Sequence, residues 1–160
     1  MSVPITIRAG TPGDVAALLP MVREITTLHE RADPDRFRVL PDILDRYAAW
    51  LPQRANDPRS VLLVAERADV GLVGFLVGTI EPEVPIFWIP ECGWVHDLWI
   101  EPVARRQGVA SRLIEHAAER FRALGVKQMR LHTGSFNESA RKAFTKSGFR
   151  PCVVEMLRAI

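Results

Sequence analysis

Residues 94–110 read as a buried strand, a basic loop and the opening of a helix, and few folds accommodate that order. The strand run 94–100 is apolar except for His96 and Asp97. After Glu101 and Pro102 come Arg105, Arg106, Gln107, Gly108, Val109 and Ala110. A helix that starts where a strand ends returns along the sheet, so the following strand lies parallel to the first. Residues 111–124 carry the stripe of such a helix in Leu113, Ile114, Ala117, Ala118, Phe121 and Leu124, and Gly125 closes it. Residues 127–133 are the returning strand. The chain is thereby committed to an α/β fold with a β-α-β crossover.

The flanking segments complete the sheet. Residues 5–8 form a short first strand. Thr11, Pro12 and Asp14 supply a cap, a proline at the first helical position and an acid three residues after the cap. Val15, Leu18, Leu19, Val22 and Ile25 then share one helical face, with a kink expected at Pro20. Ile43, Leu44, Tyr47, Trp50 and Leu51 mark a second helix, ended by Pro52. The apolar run 61–65 suits a strand covered on both faces. Ala68, Asp69, Val70 and Gly71 turn it into a second strand over 72–80. Three prolines in residues 81–90 indicate a shaped loop or edge. A helix over 137–147 and a last strand over 153–157 follow. The predicted order is β α α β β β α β α β, a mixed central sheet with helices on both faces, in a single domain spanning residues 1–160.

The same basic loop has a chemical reading. Gly108 permits a tight turn and close approach of a ligand to the backbone. Ala110 keeps the first helical turn small, and the unpaired amides there favour an anion. Arg105 and Arg106 add charge at the same place. The arrangement suits a pyrophosphate, or else is a solvated basic loop. It is neither a P-loop nor a dinucleotide fingerprint, because GxxxxGK[ST] and GxGxxG are both absent.

Composition removes other classes. The net charge is +2 from 21 basic and 19 acidic residues, too balanced to argue for nucleic acid. Charge is instead local: Arg105, Arg106 and Arg112 in one segment, Arg141, Lys142 and Lys146 in another. Cys92 and Cys152 lack metal-ligand spacing, so two unreactive thiols and no metal are expected. No apolar run approaches the roughly 18 residues of a membrane span. Met1, Ser2, Val3 and Pro4 show no export signal, which makes a cytoplasmic protein the expectation.

The run Arg105–Arg106–Gln107–Gly108–Val109–Ala110 resembles the [RQ]-x-x-G-x-[GA] signature of the GNAT acetyltransferases. Downstream, Asn137, Ala140, Phe144, Gly148 and Phe149 resemble that family's N-x-x-A…Y…G-F segment. Residues 7–14 and 71–75 are similar to its first helix and strand hairpin. The likeness covers nearly the whole chain and is weakest over 31–60.

The resemblance implies acetyl-CoA as co-substrate, bound where the two parallel strands splay apart. By position, the backbone of Leu98, Trp99 and Ile100 would meet the pantetheine, although the Trp99 side chain is equally well read as core packing. Amides of Arg106, Gln107, Gly108, Val109 and Ala110, with Ser111, would hold the pyrophosphate. Asn137 would contact the pantetheine, and Arg141 or Lys142 a phosphate. His96 is the first candidate base, with Glu81 second through water, and Asp97 is expected on the opposite face. His96 is equally well read as a packed histidine.

Phe144 stands where the family often has a tyrosine that protonates the leaving thiolate, leaving water or Ser139 for that role. That departure keeps a non-catalytic acyl-CoA sensor beside the enzyme reading, and the basic loop alone keeps a nucleotide-binding domain. The acceptor, a small-molecule or peptide amine, would lie between residues 28–51 and 81–91. Tyr47, Trp50, Phe87 and Trp88 could form an aromatic wall there, or serve as core or homodimer contacts. Glu30, Asp33 and Asp35 read as an amine lure or a solvated helix end.

Overall fold

A computed structural model describes residues 3–160. Met1 and Ser2, part of the opening read above for an export signal, lie outside the described residues. Strand β1 (Ile5–Ala9) runs into a single 3₁₀ turn at Pro12–Asp14 and then helix α1 (Val15–Ala32). The Thr11–Asp14 capping box forms as expected, and Asp14 also takes a two-point ion pair from Arg8. Pro20 lies inside α1, which continues through it.

Short helix α2 (Pro34–Phe37), absent from the sequence reading, precedes α3 (Ile43–Asn56). Pro52 does not end α3. Proline removes one backbone donor, but fully buried Leu51 anchors this turn in the core, and burial of a leucine outweighs one exposed helix bond. Strands β2 (Ser60–Arg67), β3 (Gly71–Pro82) and β4 (Glu91–Ile100) follow. Helix α4 (Val109–Ala123), β5 (Met129–Leu131) and α5 (Glu138–Lys146) complete the elements.

The sheet order is β1-β2-β3-β4-β5, antiparallel except for the parallel β4–β5 pair. One face packs on α4 through Val61, Leu76, Val95, Leu113, Ala117 and Phe121. The other packs on α1 and α3 through Leu18, Val22, Leu51, Val64, Phe75 and Val77. This is the mixed α/β sheet with helices on both faces that the patterning predicted.

The strand expected over 153–157 does not form. Among the described residues nothing pairs with the outer edge of β5, and Val153, Val154 and Met156 are largely exposed. β5 presents only three residues of edge, and Pro151 lacks a donor where a ladder would begin. The tail is tethered instead by Glu155, which accepts a hydrogen bond from Arg36 at 2.6 Å.

Candidate functional site

β4 outruns its parallel neighbour at its C-terminal half. Its ladder with β5 ends at Val95 opposite Leu131, whereas the strand runs on to Ile100. From Asp97 to Ile100 the backbone has β3 on one edge and, among the described residues, no strand on the other. Peptide groups along an unpaired edge need outside partners. An extended ligand with alternating amide donors and acceptors satisfies them. The side chains of Leu98 and Ile100 meanwhile pack into the α4-side core, so these residues have only backbone to offer.

The loop beyond Ile100 turns sharply and leads into the unpaired amides that open α4. Arg106 has φ 60° and Gly108 φ 73°, so two left-handed residues aim the chain into α4. Gly108 is required by that angle rather than by crowding, since a Cβ there would meet no atom within 4 Å. The first bond of α4 runs from the Arg112 amide to the Gly108 carbonyl at 3.1 Å. The amides of Val109, Ala110 and Ser111 precede it and have no helical acceptor. Buried Val109 fixes their direction.

Arg105 behaves differently from its neighbour. Its Nε donates to the Ile100 carbonyl at 2.9 Å, and its guanidinium lies 4.9 Å from the Trp99 ring centre. Arg105 therefore locks the loop onto the strand, while exposed Arg106 offers charge to solvent. Gln107 is held by a bond from its Nε2 to the Val103 carbonyl. The Trp99 ring packs against the α1–α3 core, and its buried Nε1 has no partner among the described residues.

α5 flanks the same end of the sheet. The Asn137 Oδ1 accepts from the Ala140 amide at 3.1 Å and caps the helix, leaving its NH₂ for a ligand. Arg141 and Lys142 are exposed, Lys142 pairing with Glu138. Ser147 and Ser111 meet at 3.3 Å, joining the end of α5 to the start of α4. Phe144 packs edge-on against Phe149 at 5.7 Å beside the core.

The titratable groups gather around a bulge. Val77 pairs with Asp97 but Gly78 with Val95, so His96 is an extra residue in β4. A bulge breaks the alternation of a strand. His96 and Asp97 consequently both face α3, and the expectation that Asp97 points away is corrected. The His96 Nε2 lies 2.6 Å from the Thr79 Oγ1, and its ring meets Trp50 edge-on at 5.4 Å. Asp97 accepts a 2.8 Å hydrogen bond from the Tyr47 hydroxyl. Glu81 is 3.7 Å from the His96 Nε2, linked through Thr79. His96 and Glu81 are thus joined through one protein hydroxyl.

Burial, the largest influence, lowers the His96 pKa below its ordinary value against the opposing pull of Asp97 and Glu81; Arg54 lowers it further. Burial raises the Asp97 carboxyl, while Tyr47 and His96 counter it. Burial, then the Asp97 charge and hydrogen bond, push the Tyr47 phenol far up. His96 is accordingly poised as a neutral imidazole at neutral pH.

Residues 22–149 match the sequence model of the acetyltransferase (GNAT) family. The chain belongs to that family. It is 25% identical over 145 residues to the uncharacterized N-acetyltransferase YhfO of Bacillus subtilis, covering 91% of this chain and 89% of the relative. A tetramutant of the BH1408 protein of Bacillus halodurans shares the fold at TM-score 0.82, with 19% identity over 97% of this chain and 99% of the other. A predicted acetyltransferase from Clostridium acetobutylicum, solved with acetyl-CoA, shares it at TM-score 0.76, with 16% identity over 98% and 96% of the two chains.

In this GNAT chain the grouping of three residues with His96 is what sequence reasoning did not supply. Thr79, Asp97 and Tyr47 join the His96 cluster only because of the bulge and the packing of α3 on β4. The available signal was Gly78 inside the mostly apolar strand β3, since a strand glycine often marks a bulge. Of the proposed aromatic wall, Tyr47 and Trp50 stand together at 5.7 Å, whereas Phe87 and Trp88 are exposed in the β3–β4 loop.

Proposed function

We propose that this GNAT protein is an N-acetyltransferase moving the acetyl group of acetyl-CoA directly onto a primary amine of a small molecule or an exposed protein amine. The observation carrying this reading is continuity: one strand bears His96, then an unpaired backbone edge, then the left-handed loop and free amides of α4. Acetyl-CoA supplies an activated thioester. The Leu98–Ile100 edge and Asn137 hold the pantetheine arm. Arg106 with the amides of Gly108 to Ser111 holds the pyrophosphate, and Arg141 or Lys142 meets a further phosphate.

His96 does the protein's share of the chemistry by removing a proton from the acceptor ammonium, so that a neutral amine with a free lone pair attacks. A backbone amide of β4 polarises the acyl oxygen. Phe144 has no proton to give, so the departing thiolate is protonated by water. Asp97 and Glu81, beside the Tyr47 and Trp50 rings, favour a cationic acceptor. The expected setting is the cytoplasm.

Titration calorimetry of acetyl-CoA against wild type and Gly108→Trp, with thiol release on the same samples across an amine panel, tests the reading. Micromolar binding lost in the variant, with amine-dependent thiol release, is the expected result. Binding without release from any amine would favour an acyl-CoA sensor, and absence of binding to folded wild type would overturn both.

A further inference from the structure

Thr79 is one of only two buried polar residues among those described, 6% exposed in a largely apolar sheet. Its hydroxyl touches two groups at once: Glu81 Oε1 at 2.5 Å and His96 Nε2 at 2.6 Å. A hydroxyl has one proton, and an ionised carboxylate has only acceptors. The Thr79 proton therefore goes to Glu81, which leaves the Thr79 oxygen to accept from the ring. Nε2 must then carry the hydrogen of the neutral imidazole, and the lone pair sits on Nδ1. Among the described residues nothing bonds Nδ1.

We propose that Thr79 is a positioning residue that, anchored by Glu81, fixes His96 as the Nε2–H tautomer and makes Nδ1 the nitrogen that takes the acceptor's proton. The inference rests on the reading of His96 as base. The balance is simple: the proton leaves the acceptor nitrogen for Nδ1, the electron pair stays on that nitrogen, and Nε2–H remains bonded to Thr79 throughout. Glu81 thereby has a role other than that of a second base. It orients the hydroxyl that orients the ring, a logic that recurs wherever a histidine base is held by a third group.

The surroundings do not supply another holder. Trp50 contributes a ring edge and Arg54 a cation 5.8 Å from that same indole. Asp97 is engaged by Tyr47. From the elements packed around His96, the charged or titratable groups are Glu81 on β3, Asp97 on β4, and Tyr47 and Arg54 on α3, with His29 on α1 beyond Asp97. Among the described residues only Thr79 reaches a ring nitrogen at hydrogen-bond distance.

The tautomer is directly measurable. Multiple-bond ¹H–¹⁵N spectra of the whole labelled protein, above the ring's titration, should show His96 protonated at Nε2. Thr79→Val, which keeps the shape of the side chain, should yield a mixture of tautomers, and Thr79→Ser should restore the single one. Protonated Nδ1 with bare Nε2 in wild type would overturn the proposal whether or not the protein is an enzyme.

In turnover, Thr79→Val should lower kcat roughly tenfold or more, a fraction of the 10²–10⁴ that a general base contributes. The KM for acetyl-CoA should stay unchanged. The acid limb of the pH profile should move to lower pH, because the imidazolium loses an acceptor. In a His96→Gln background the same substitution should add nothing further. A wild-type rate and acid limb in folded Thr79→Val would sink the assignment. Absence of all turnover with the tautomer as expected would instead count against the enzymatic reading alone.

Discussion

The Tyr47 hydroxyl, on α3, donates to the Asp97 carboxylate on β4 at 2.8 Å, closing the only polar link between that helix and the bulged strand recorded among the described residues. The link sets how Asp97 responds to pH. Its folded pKa is raised by burial, so its stabilising contribution is full below the unfolded value of about 3.9 and is lost as pH rises through the folded pKa. Asp97→Asn should therefore be at least as stable as wild type at pH 7, with the difference closing as pH falls below about 4. Tyr47→Phe removes the bond that restrains the rise, extends the window upward, and should cost about 1–2 kcal/mol at pH 7. Urea melts of the three proteins at pH 4 and 7 check both signs.

Gly108 offers a separable test of the anion loop. At φ 73° a non-glycine residue is strained, but no neighbour crowds its Cβ. Gly108→Ala should cost about 1–2 kcal/mol of stability and weaken acetyl-CoA by about tenfold. Gly108→Asn, which tolerates the left-handed region better, should recover most of the stability. Thermal melts and calorimetry on the same samples separate strain from ligand loss.

Close packing between sheet and helix makes the opposite kind of glycine. A Cβ on Gly93 would lie 2.6 Å from Cγ and Cδ2 of Phe121 on α4. Phe121 is buried on α4, so it has little room to retreat. Gly93→Ala should be destabilising by about 1–3 kcal/mol. The paired change Gly93→Ala with Phe121→Leu should recover part of that loss, measured as a non-additive denaturant midpoint.

What the sequence made legible follows from the physics of each segment. The stripe from Leu113 to Phe121 and the loop from Arg105 to Ala110 are local patterns, so α4 and the turn that opens it could be read without any partner. The run Val61 to Ala65 declared itself a covered strand by composition alone. The Thr79–His96–Asp97–Tyr47 cluster could not be read this way. It depends on a one-residue bulge, which reverses strand faces and leaves only a weak trace in Gly78. Pro52 misled because a propensity penalty of one bond was outweighed by tertiary burial of Leu51. Residues 153–157 misled in the other direction. Their β-prone composition meets an edge strand of three residues and a proline, and composition without a partner edge does not make a strand.

The Arg8–Asp14 pair supplies the last prediction, on acid stability. Arg8 bonds both oxygens of Asp14, at 2.9 and 2.8 Å, and reaches Glu66 at 2.7 Å, tying the entry of α1 to the β1–β2 pair. The Arg8 bonds, chief among several, hold the Asp14 pKa well below the usual carboxylate range. A depressed folded pKa gives stability that is present above the unfolded value, about 3.9, and lost as pH falls through the folded one. Asp14 is 13% exposed and Arg8 34%, so the partly screened pair is worth less than a buried one. Asp14→Asn should cost about 2 kcal/mol at pH 7, combining the lost cap and the lost charged bonds. Below about pH 4 the gap to wild type should shrink steadily. Denaturant midpoints at pH 2.5, 4 and 7 would show it, and a gap constant with pH would mean that the carboxylate charge contributes nothing to the anchoring of α1.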